Sequence, residues 1–411
     1  LAADSEVSVD DLVSREDLLD SEDRAPVIKL VNSLLFEAVR SRASDIHVQP
    51  RETYVAVRMR IDGVLFDAHQ LPKPIQEEVS TRFKVLGRMN IAEKRLPQDG
   101  RATVRVGQRV IDLRIASMPT NHGERIVVRL LDKSARMYTL AELGMDAESF
   151  RRFESVIHRE HGLILVTGPT GSGKSTTLYS CLQELDTSER NAVTLEDPIE
   201  YELEGISQTQ INTRKGMTFA SGLRSVLRQD PDIIMLGEIR DHETAVMAIQ
   251  SSLTGHMVFS TLHTNDAPSA VTRLLDLGIE PYLASSSLLA VLAQRLVRRI
   301  CPHCREAVSV TSAERQAVGL RHDIDTVYRG VGCDHCRGTG YQGRFGVFEL
   351  LMVTGQIQDS IQRRASAAEI RALGLQEGMR PMRLDGLQKV IEGKTTLDEV
   401  TRVTVDVDVE T

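Results

Sequence analysis

Between residues 168 and 176 lies a run of small residues ending in a lysine and two hydroxyl side chains. Gly168-Pro169-Thr170-Gly171-Ser172-Gly173-Lys174-Ser175 fits G-x-x-x-x-G-K-[ST], and Thr176 follows it. Glycines let backbone N–H groups turn toward anionic oxygens, the lysine adds a full positive charge, and the serine hydroxyl can ligate a divalent cation. The chemistry this implies is binding of a nucleoside triphosphate such as ATP with Mg²⁺, the metal on Ser175. Hydrolysis also needs a carboxylate. Asp232-Ile-Ile-Met-Leu-Gly237-Glu238 is an apolar run ending in acid, but glycine stands where a Walker B strand would end in aspartate. Glu238 is then the group left to orient the attacking water and support the metal shell. Thr194-Leu-Glu196-Asp197-Pro198-Ile-Glu200 ends a second apolar run in acid, with Glu200 as the other candidate base. Ser260-Thr-Leu-His263-Thr-Asn265 places a histidine where it can sense a γ-phosphate. Each has a plainer reading: a solvated strand-end acid, a surface turn built on Asp-Pro, a structural histidine.

The cysteines suggest a second chemistry. Cys301-Pro-His-Cys304 and Cys333-Asp-His-Cys336 are two C-x-x-C pairs separated by 28 residues. Four thiolates satisfy tetrahedral Zn²⁺, and closed four-cysteine sites are structural. His303 or His335 could replace a thiolate, and a redox dithiol is the competing reading. The fifth cysteine, Cys181, reads as a small buried side chain on the helix after the phosphate loop. Unpaired thiols of this kind point to a reducing compartment, the cytosol.

These residues need a frame. The loop follows Leu163-Ile-Leu-Val-Thr167 and opens a helix over 174–185, and apolar segments at 191–196, 232–236 and 256–261 alternate with helical ones. Such interleaving predicts a parallel sheet with helices on both faces, so that strand-end residues converge on one edge. A helix is expected over 283–300, and helices again from 354. Upstream, a helix over 27–42 precedes strands at 45–49, 54–61 and 64–69, the last two joined through Asp62-Gly63. A helix over 73–89 and strands at 102–106, 110–115 and 125–131 complete a small α+β domain. The expected organisation is an acidic linker at 1–25, this domain at 26–133, a hinge at 134–145, an α/β core at 146–300, a metal-binding segment at 301–350 and a helical region at 351–411.

Composition narrows the class. The 411 residues are 41% apolar and 26% charged, with a net charge of −8. Residues 1–24 hold nine acids against two arginines, so the remainder is nearly neutral. That balance, with only 4% aromatic residues, argues against a nucleic-acid channel. No apolar run approaches the ~18 residues of a membrane helix. The first residues carry no secretory signal, and Leu1 in place of an initiator Met reads as a fragment or processed chain.

Together and in this order, the motifs resemble the secretion traffic ATPases of type II secretion and type IV pilus assembly. The resemblance extends through Ser44-Asp-Ile-His47, Arg60-Ile-Asp-Gly63, Arg95-Leu-Pro-Gln-Asp-Gly-Arg101 and Met118-Pro-Thr-Asn-His-Gly-Glu-Arg125. It implies a RecA-like P-loop motor behind a PAS-like domain, assembled as a homo-hexamer. ATP hydrolysis would drive pseudopilus assembly at the cytoplasmic face of the inner membrane. It also implies that Arg114, Arg129, Arg224 and Arg228 contact phosphates, and that a zinc-bearing segment is present. The implied partners are secretion-platform proteins, anionic lipid, and a membrane-anchored docking protein that would bind a further N-terminal domain lacking here. No nucleic acid is expected. The cysteine knuckle looks more like the secretion branch than the pilus branch. A zinc-containing nucleic-acid motor and a nucleotide-gated adaptor are the readings from other classes.

Overall fold

The computed structural model describes residues 16–17, 26–132, 137–312, 315 and 324–404. They fall in two units divided after residue 136.

The first unit begins with the two-residue strand β1 (Glu16–Asp17), paired with β5, within the stretch expected to be a linker. Most of 1–25 lies outside the described residues. Helix α1 (Pro26–Arg40) buries Val31, Leu34, Leu35 and Ala38, the stripe its spacing predicts. β2 (Ala43–Pro50), β3 (Tyr54–Ile61) and β4 (Val64–Pro72) follow, then α2 (Gln76–Leu86), β5 (Gln98–Val106), β6 (Arg109–Thr120) and β7 (Gly123–Asp132). The sheet order is β1-β5-β6-β7-β2-β3-β4. At the β3–β4 hairpin Asp62 and Gly63 take φ of +49° and +85°, both left-handed as a type I′ turn requires. α2 is shorter than the 73–89 expected, because Lys73–Ile75 forms a separate 3₁₀ turn.

In the second unit α3 (Ala147–Ile157) precedes β8 (Gly162–Thr167), α4 (Lys174–Gln183), β9 (Ala192–Glu196), β10 (Ser207–Gln210) and α5 (Phe219–Val226). Then come β11 (Ile233–Leu236), α6 (His242–Leu253), β12 (Met257–Leu262), α7 (Ala267–Asp276), α8 (Pro281–Ser287) and β13 (Leu288–Ile300). The sheet order is β10-β9-β11-β12-β8-β13-β16, parallel except for the last pair. Both faces are buried: Leu163, Leu165, Ile234 and Val258 enter one core, and Ile164, Val166, Met235 and Phe259 the other.

One expected helix is absent. Residues 283–300 form the end of α8 and then the thirteen-residue strand β13. Leu288-Leu-Ala-Val-Leu-Ala is apolar at every position, and such a run fits a doubly buried strand as well as a buried helix. As a strand it sends Ala290 and Leu292 to one core and Val291 and Ala293 to the other.

After β13 the chain leaves the sheet through the hairpin β14 (Arg305–Ser309) and β15 (Thr326–Gly330). It returns as β16 (Tyr341–Met352), antiparallel to β13. The segment expected at 301–350 is thus divided: from Tyr341 onward it belongs to the sheet. Helices α9 (Gly355–Gln362), α10 (Ala367–Gln376), α11 (Met382–Ile391) and α12 (Leu397–Thr404) close the unit. Of the expected hinge, Leu140 and Met145 are buried in the second core, Ser180 Oγ donates to the Tyr138 carbonyl at 2.5 Å, and Gly346 N–H donates to the Leu143 carbonyl at 2.7 Å. The rest of that stretch, 134–136, lies outside the described residues. Among the described residues no helix is long and apolar enough to cross a membrane.

Candidate active site

Parallel strands deliver their C-terminal residues to one edge, where four neighbours meet: β9, β11, β12 and β8. The phosphate loop leaves β8 and enters α4. Gly168, Gly171 and Gly173 take φ of +149°, +79° and +88°. A Cβ on Gly168 would meet the Gln294 carbonyl at 2.4 Å and Ser172 Oγ at 2.6 Å, so that position requires glycine on both counts. Ser172 Oγ is buried without a hydrogen-bond partner among the described residues. A glycine cradle with left-handed backbone and an unsatisfied hydroxyl suits an anionic, oxygen-rich ligand.

Lys174 arches over this cradle, donating to the Gly168 and Pro169 carbonyls at 2.7 and 3.1 Å. Burial, with Arg295 nearby, lowers its pKa to about 8, against the opposing pull of Glu238. A polyanionic nucleotide would favour the ammonium, so binding above pH 8 takes up a proton. The expected outcome is that nucleotide affinity declines as pH rises through about 8, whereas Lys174→Arg, which does not titrate there, shows no such decline. Calorimetry at pH 8.5 in buffers of different ionisation enthalpy should show net proton uptake in the parent only.

Glu238 follows β11 and is 9% exposed. Its Oε1 lies 2.5 Å from an Arg240 guanidinium nitrogen, and Oε2 lies 3.4 Å from His263 Nε2. The turn is fixed to β12 by Ile239 N–H donating to the Thr261 carbonyl at 3.0 Å and by the Thr261 hydroxyl donating to the Gly237 carbonyl at 2.7 Å. Position 237 has little room: a Cβ there would sit 3.3 Å from the Leu195 carbonyl and 3.4 Å from the Phe219 ring. That accounts locally for glycine where an aspartate was expected. His263 follows β12, and the next residue, Thr264, donates its N–H to Thr167 Oγ1 at 2.9 Å.

Glu196 closes β9 but points into the fold. It accepts from the Tyr179 hydroxyl, from Thr194 Oγ1 at 2.6 Å and from Gln208 Nε2 at 3.0 Å. The Glu200 N–H donates to the same Tyr179 oxygen at 3.2 Å. The acidic turn, which includes the cis bond Asp197–Pro198, is thereby tied to the helix of the phosphate loop.

The structure thus brings Lys174, Glu238 and His263 together. Arg224 and Arg228 are engaged elsewhere: Arg224 pairs with Glu243 at the start of α6, and Arg228 donates to the Arg224 carbonyl at 2.8 Å. In the first unit, Arg114 and Arg129 sit directly opposite each other on β6 and β7. They belong to one cross-strand row, Arg60–Asp45–Arg129–Arg114–Arg101, in which Asp45 pairs with Arg129 at 3.1 Å. Directly opposed residues share a face, so four guanidinium groups and one carboxylate line one side of that sheet.

Three groups at the second unit's site escaped the sequence reading. Arg240 belongs to no motif and is placed only by its contact with Glu238. Gln294 backs the loop and accepts from Thr177 Oγ1 at 2.6 Å. Arg295 donates to Asn265 Oδ1 at 2.8 Å. The last two lie on β13 and became visible only once that segment was a strand beside β8.

The four cysteine sulfurs lie within 4.8 Å of one another. Cys301–Cys333, Cys304–Cys336 and Cys333–Cys336 are separated by 3.8, 3.7 and 3.7 Å. A tetrahedron with Zn–S arms of ~2.3 Å has edges of ~3.8 Å, whereas a disulfide would bring two sulfurs to ~2.05 Å. Against desolvation, the Cys333 and Gly340 N–H groups lower the Cys336 thiol pKa, whereas burial raises those of Cys301 and Cys304, so a metal that takes all four as thiolates displaces protons. His303 and His335 pack against each other, ring centres 3.9 Å apart, while the four sulfurs form a complete set without them.

The profile of the type II/IV secretion system protein family matches residues 20–402. The chain belongs to that family. Type II secretion system protein E of Aeromonas hydrophila is 51% identical over 396 residues, covering 96% of this chain and 79% of that protein. Type II secretion system ATPase E of Vibrio cholerae is 52% identical over 396 residues, covering 96% and 78%. Among solved structures, the pilus retraction motor PilT with bound ADP is 26% identical with a TM-score of 0.60, covering 90% of this chain and 96% of that one. The Legionella pneumophila ATPase DotB, at 21% identity and a TM-score of 0.66 over 95% and 99%, shows the fold. Membership makes this chain a secretion ATPase, as the motifs implied, and the loop, Glu238 and His263 stand on one edge of its sheet.

Proposed function

We propose that the chain is the ATP-hydrolysing motor that powers pseudopilus assembly in type II secretion, working as a homo-hexameric ring at the cytoplasmic face of the inner membrane. One observation carries the chemical part: Glu238, buried and held between Arg240 and His263, acts electrostatically on Lys174 across the sheet edge. Lys174 and the loop N–H groups of 168–176 bind the triphosphate, and Ser175 would hold Mg²⁺, which when bound offsets phosphate charge. Glu238 accepts the proton of the attacking water, with Glu200 as the alternative base. His263, its Nε2 3.4 Å from Glu238, reads the γ-phosphate. The contacts of Arg224 and Arg228 put them outside this inner set, and their phosphate role would require exchange of partners.

The first unit, read as PAS-like, contributes its arginine row, with Arg114 and Arg129 supplying cations to nucleotide chemistry in the ring. Closure that depends on the γ-phosphate would convert hydrolysis into motion of one unit against the other. The membrane-side partners are platform proteins, a membrane-anchored docking protein and anionic lipid. The expected result is specific activity that rises with protein concentration, and loss of about 10²-fold in rate for Arg114→Ala and for Arg129→Ala. A dilution series of phosphate-release rates checks both. Constant specific activity with both variants at the parental rate would replace the ring with a monomeric ATPase. Pilus assembly is the nearest alternative within the family, and the type II secretion relatives at 51% and 52% identity support the secretion reading.

Cys301, Cys304, Cys333 and Cys336 would hold one structural Zn²⁺, joining the two ends of a hairpin excursion whose few apolar residues, such as Val327, pack with Leu387, Val390 and Val400 of the C-terminal helices. Metal analysis of reduced protein purified without chelator should find about one zinc per chain. Cys301→Ser should lose it and still bind nucleotide. Zinc-free parent protein would refute the assignment.

A further inference from the structure

We propose that Arg371, on α10, is a positioning residue for hydrolysis, clamping Asp266 and Glu349 so that the turn carrying His263 is fixed against the phosphate loop. The inference rests on the reading of Glu238 and His263 given above. Arg371 lies far downstream of every motif, yet its guanidinium reaches Asp266 Oδ2 at 3.2 Å through one nitrogen and Glu349 Oε2 at 3.5 Å through the other.

Both carboxylates hold the same turn. Glu349, on β16 and 0% exposed, accepts the Ala267 N–H at 2.9 Å through Oε1 and the Met382 N–H at 3.4 Å through Oε2. Asp266 caps α7, its Oδ1 accepting the Ser269 N–H at 2.8 Å, and its carbonyl accepts the Thr264 hydroxyl at 3.0 Å. Thr264 in turn bonds Thr167 Oγ1, the residue before Gly168. Each link from the phosphate loop to Arg371 is therefore a hydrogen bond or an ion pair, and His263 directly precedes Thr264, a member of that chain.

Without Arg371, two carboxylates with little solvent would face each other with no cation between them. Glu349 is fixed in the sheet and by two N–H donors, whereas Asp266 sits on a connecting turn. The turn is the part that must yield, moving His263 away from Glu238. Displacement on the scale of an ångström is enough to slow a positioned reaction strongly without removing the binding site.

The test uses the full chain and four variants: Arg371→Gln, Arg371→Lys, the double change Asp266→Asn with Arg371→Gln, which keeps the Oδ1 acceptor of the Ser269 N–H, and Glu238→Gln. Steady-state hydrolysis, binding of a fluorescent ATP analogue and thermal unfolding are measured for each. Arg371→Gln is expected to lower kcat about tenfold or more while analogue affinity stays within about threefold. Arg371→Lys should fall between it and the parent. The double variant, having lost the like-charge conflict, should recover at least half of the loss on a logarithmic scale. If Arg371→Gln does not fold, the lysine and double variants decide by the same criteria. The proposal is overturned if kcat stays parental where Glu238→Gln is inactive. It is equally overturned if kcat and binding capacity fall in one proportion with no recovery in the double variant, since that marks loss of folded protein alone. Hydrolysis at the parental rate by Glu238→Gln would instead overturn the underlying reading of the site.

Discussion

Glu238→Gln should bind ATP and turn it over about 10³-fold more slowly than the parent. The change keeps the side chain's volume and removes the charge that can accept a proton from water. The fold around it is otherwise kept: the turn is anchored by backbone bonds to Thr261 and Leu195, not by the carboxylate. Binding survives because the cradle and Lys174 are untouched. A secondary effect follows from the electrostatics. Glu238 raises the Lys174 pKa, working against burial and Arg295. Its removal should therefore move the decline in nucleotide affinity to lower pH. Titration with an ATP analogue across pH 6.5–9, together with single-turnover hydrolysis, measures both effects. Parental turnover in this variant would transfer the role of base to Glu200.

Lys174→Ala should lose nucleotide binding itself, by about 10³-fold, the sum of two charge-assisted contacts of roughly 2 kcal/mol each. The surroundings offer no replacement. Arg295 is engaged with Asn265, and Arg224 with Glu243. Stability should change little or increase, since Lys174 is a cation held against burial: its folded-state pKa is depressed, so its charged form opposes folding most at pH values below about 8. The two variants thus separate ground-state binding from chemistry. Equal loss of binding in both would mean that Glu238 acts on the nucleotide's affinity and not on water.

The site was legible where chemistry imposes a local pattern. A phosphate cradle needs its glycines, lysine and hydroxyl next to one another, and a tetrahedral sulfur site needs close cysteine pairs, so both appear in the sequence as short motifs. The sheet was legible because doubly buried parallel strands are apolar throughout, as Leu163–Val166 and Ile233–Leu236 show. The same property concealed β13: an unbroken apolar run carries no period, and only its place between β8 and β16 decides its conformation. With β13 went Gln294 and Arg295. Arg240 and Arg371 were hidden for another reason. A single arginine has no signature: Arg240 is distinguished by its pairing with Glu238 in the same turn, and Arg371 by two carboxylates that other elements bring to it, Asp266 at the start of α7 and Glu349 on β16. Arg224 is expected from the resemblance to contact phosphate, and its side chain pairs with Glu243 on the neighbouring helix.

Phosphate release by the purified chain supplied with MgATP, measured alone, with single-stranded DNA and with anionic lipid vesicles, tests the motor function most directly. The result expected is hydrolysis without DNA, unchanged on adding it, and abolished by Glu238→Gln. Nucleotide binding without hydrolysis under all three conditions, or hydrolysis that starts only with DNA, would contradict it.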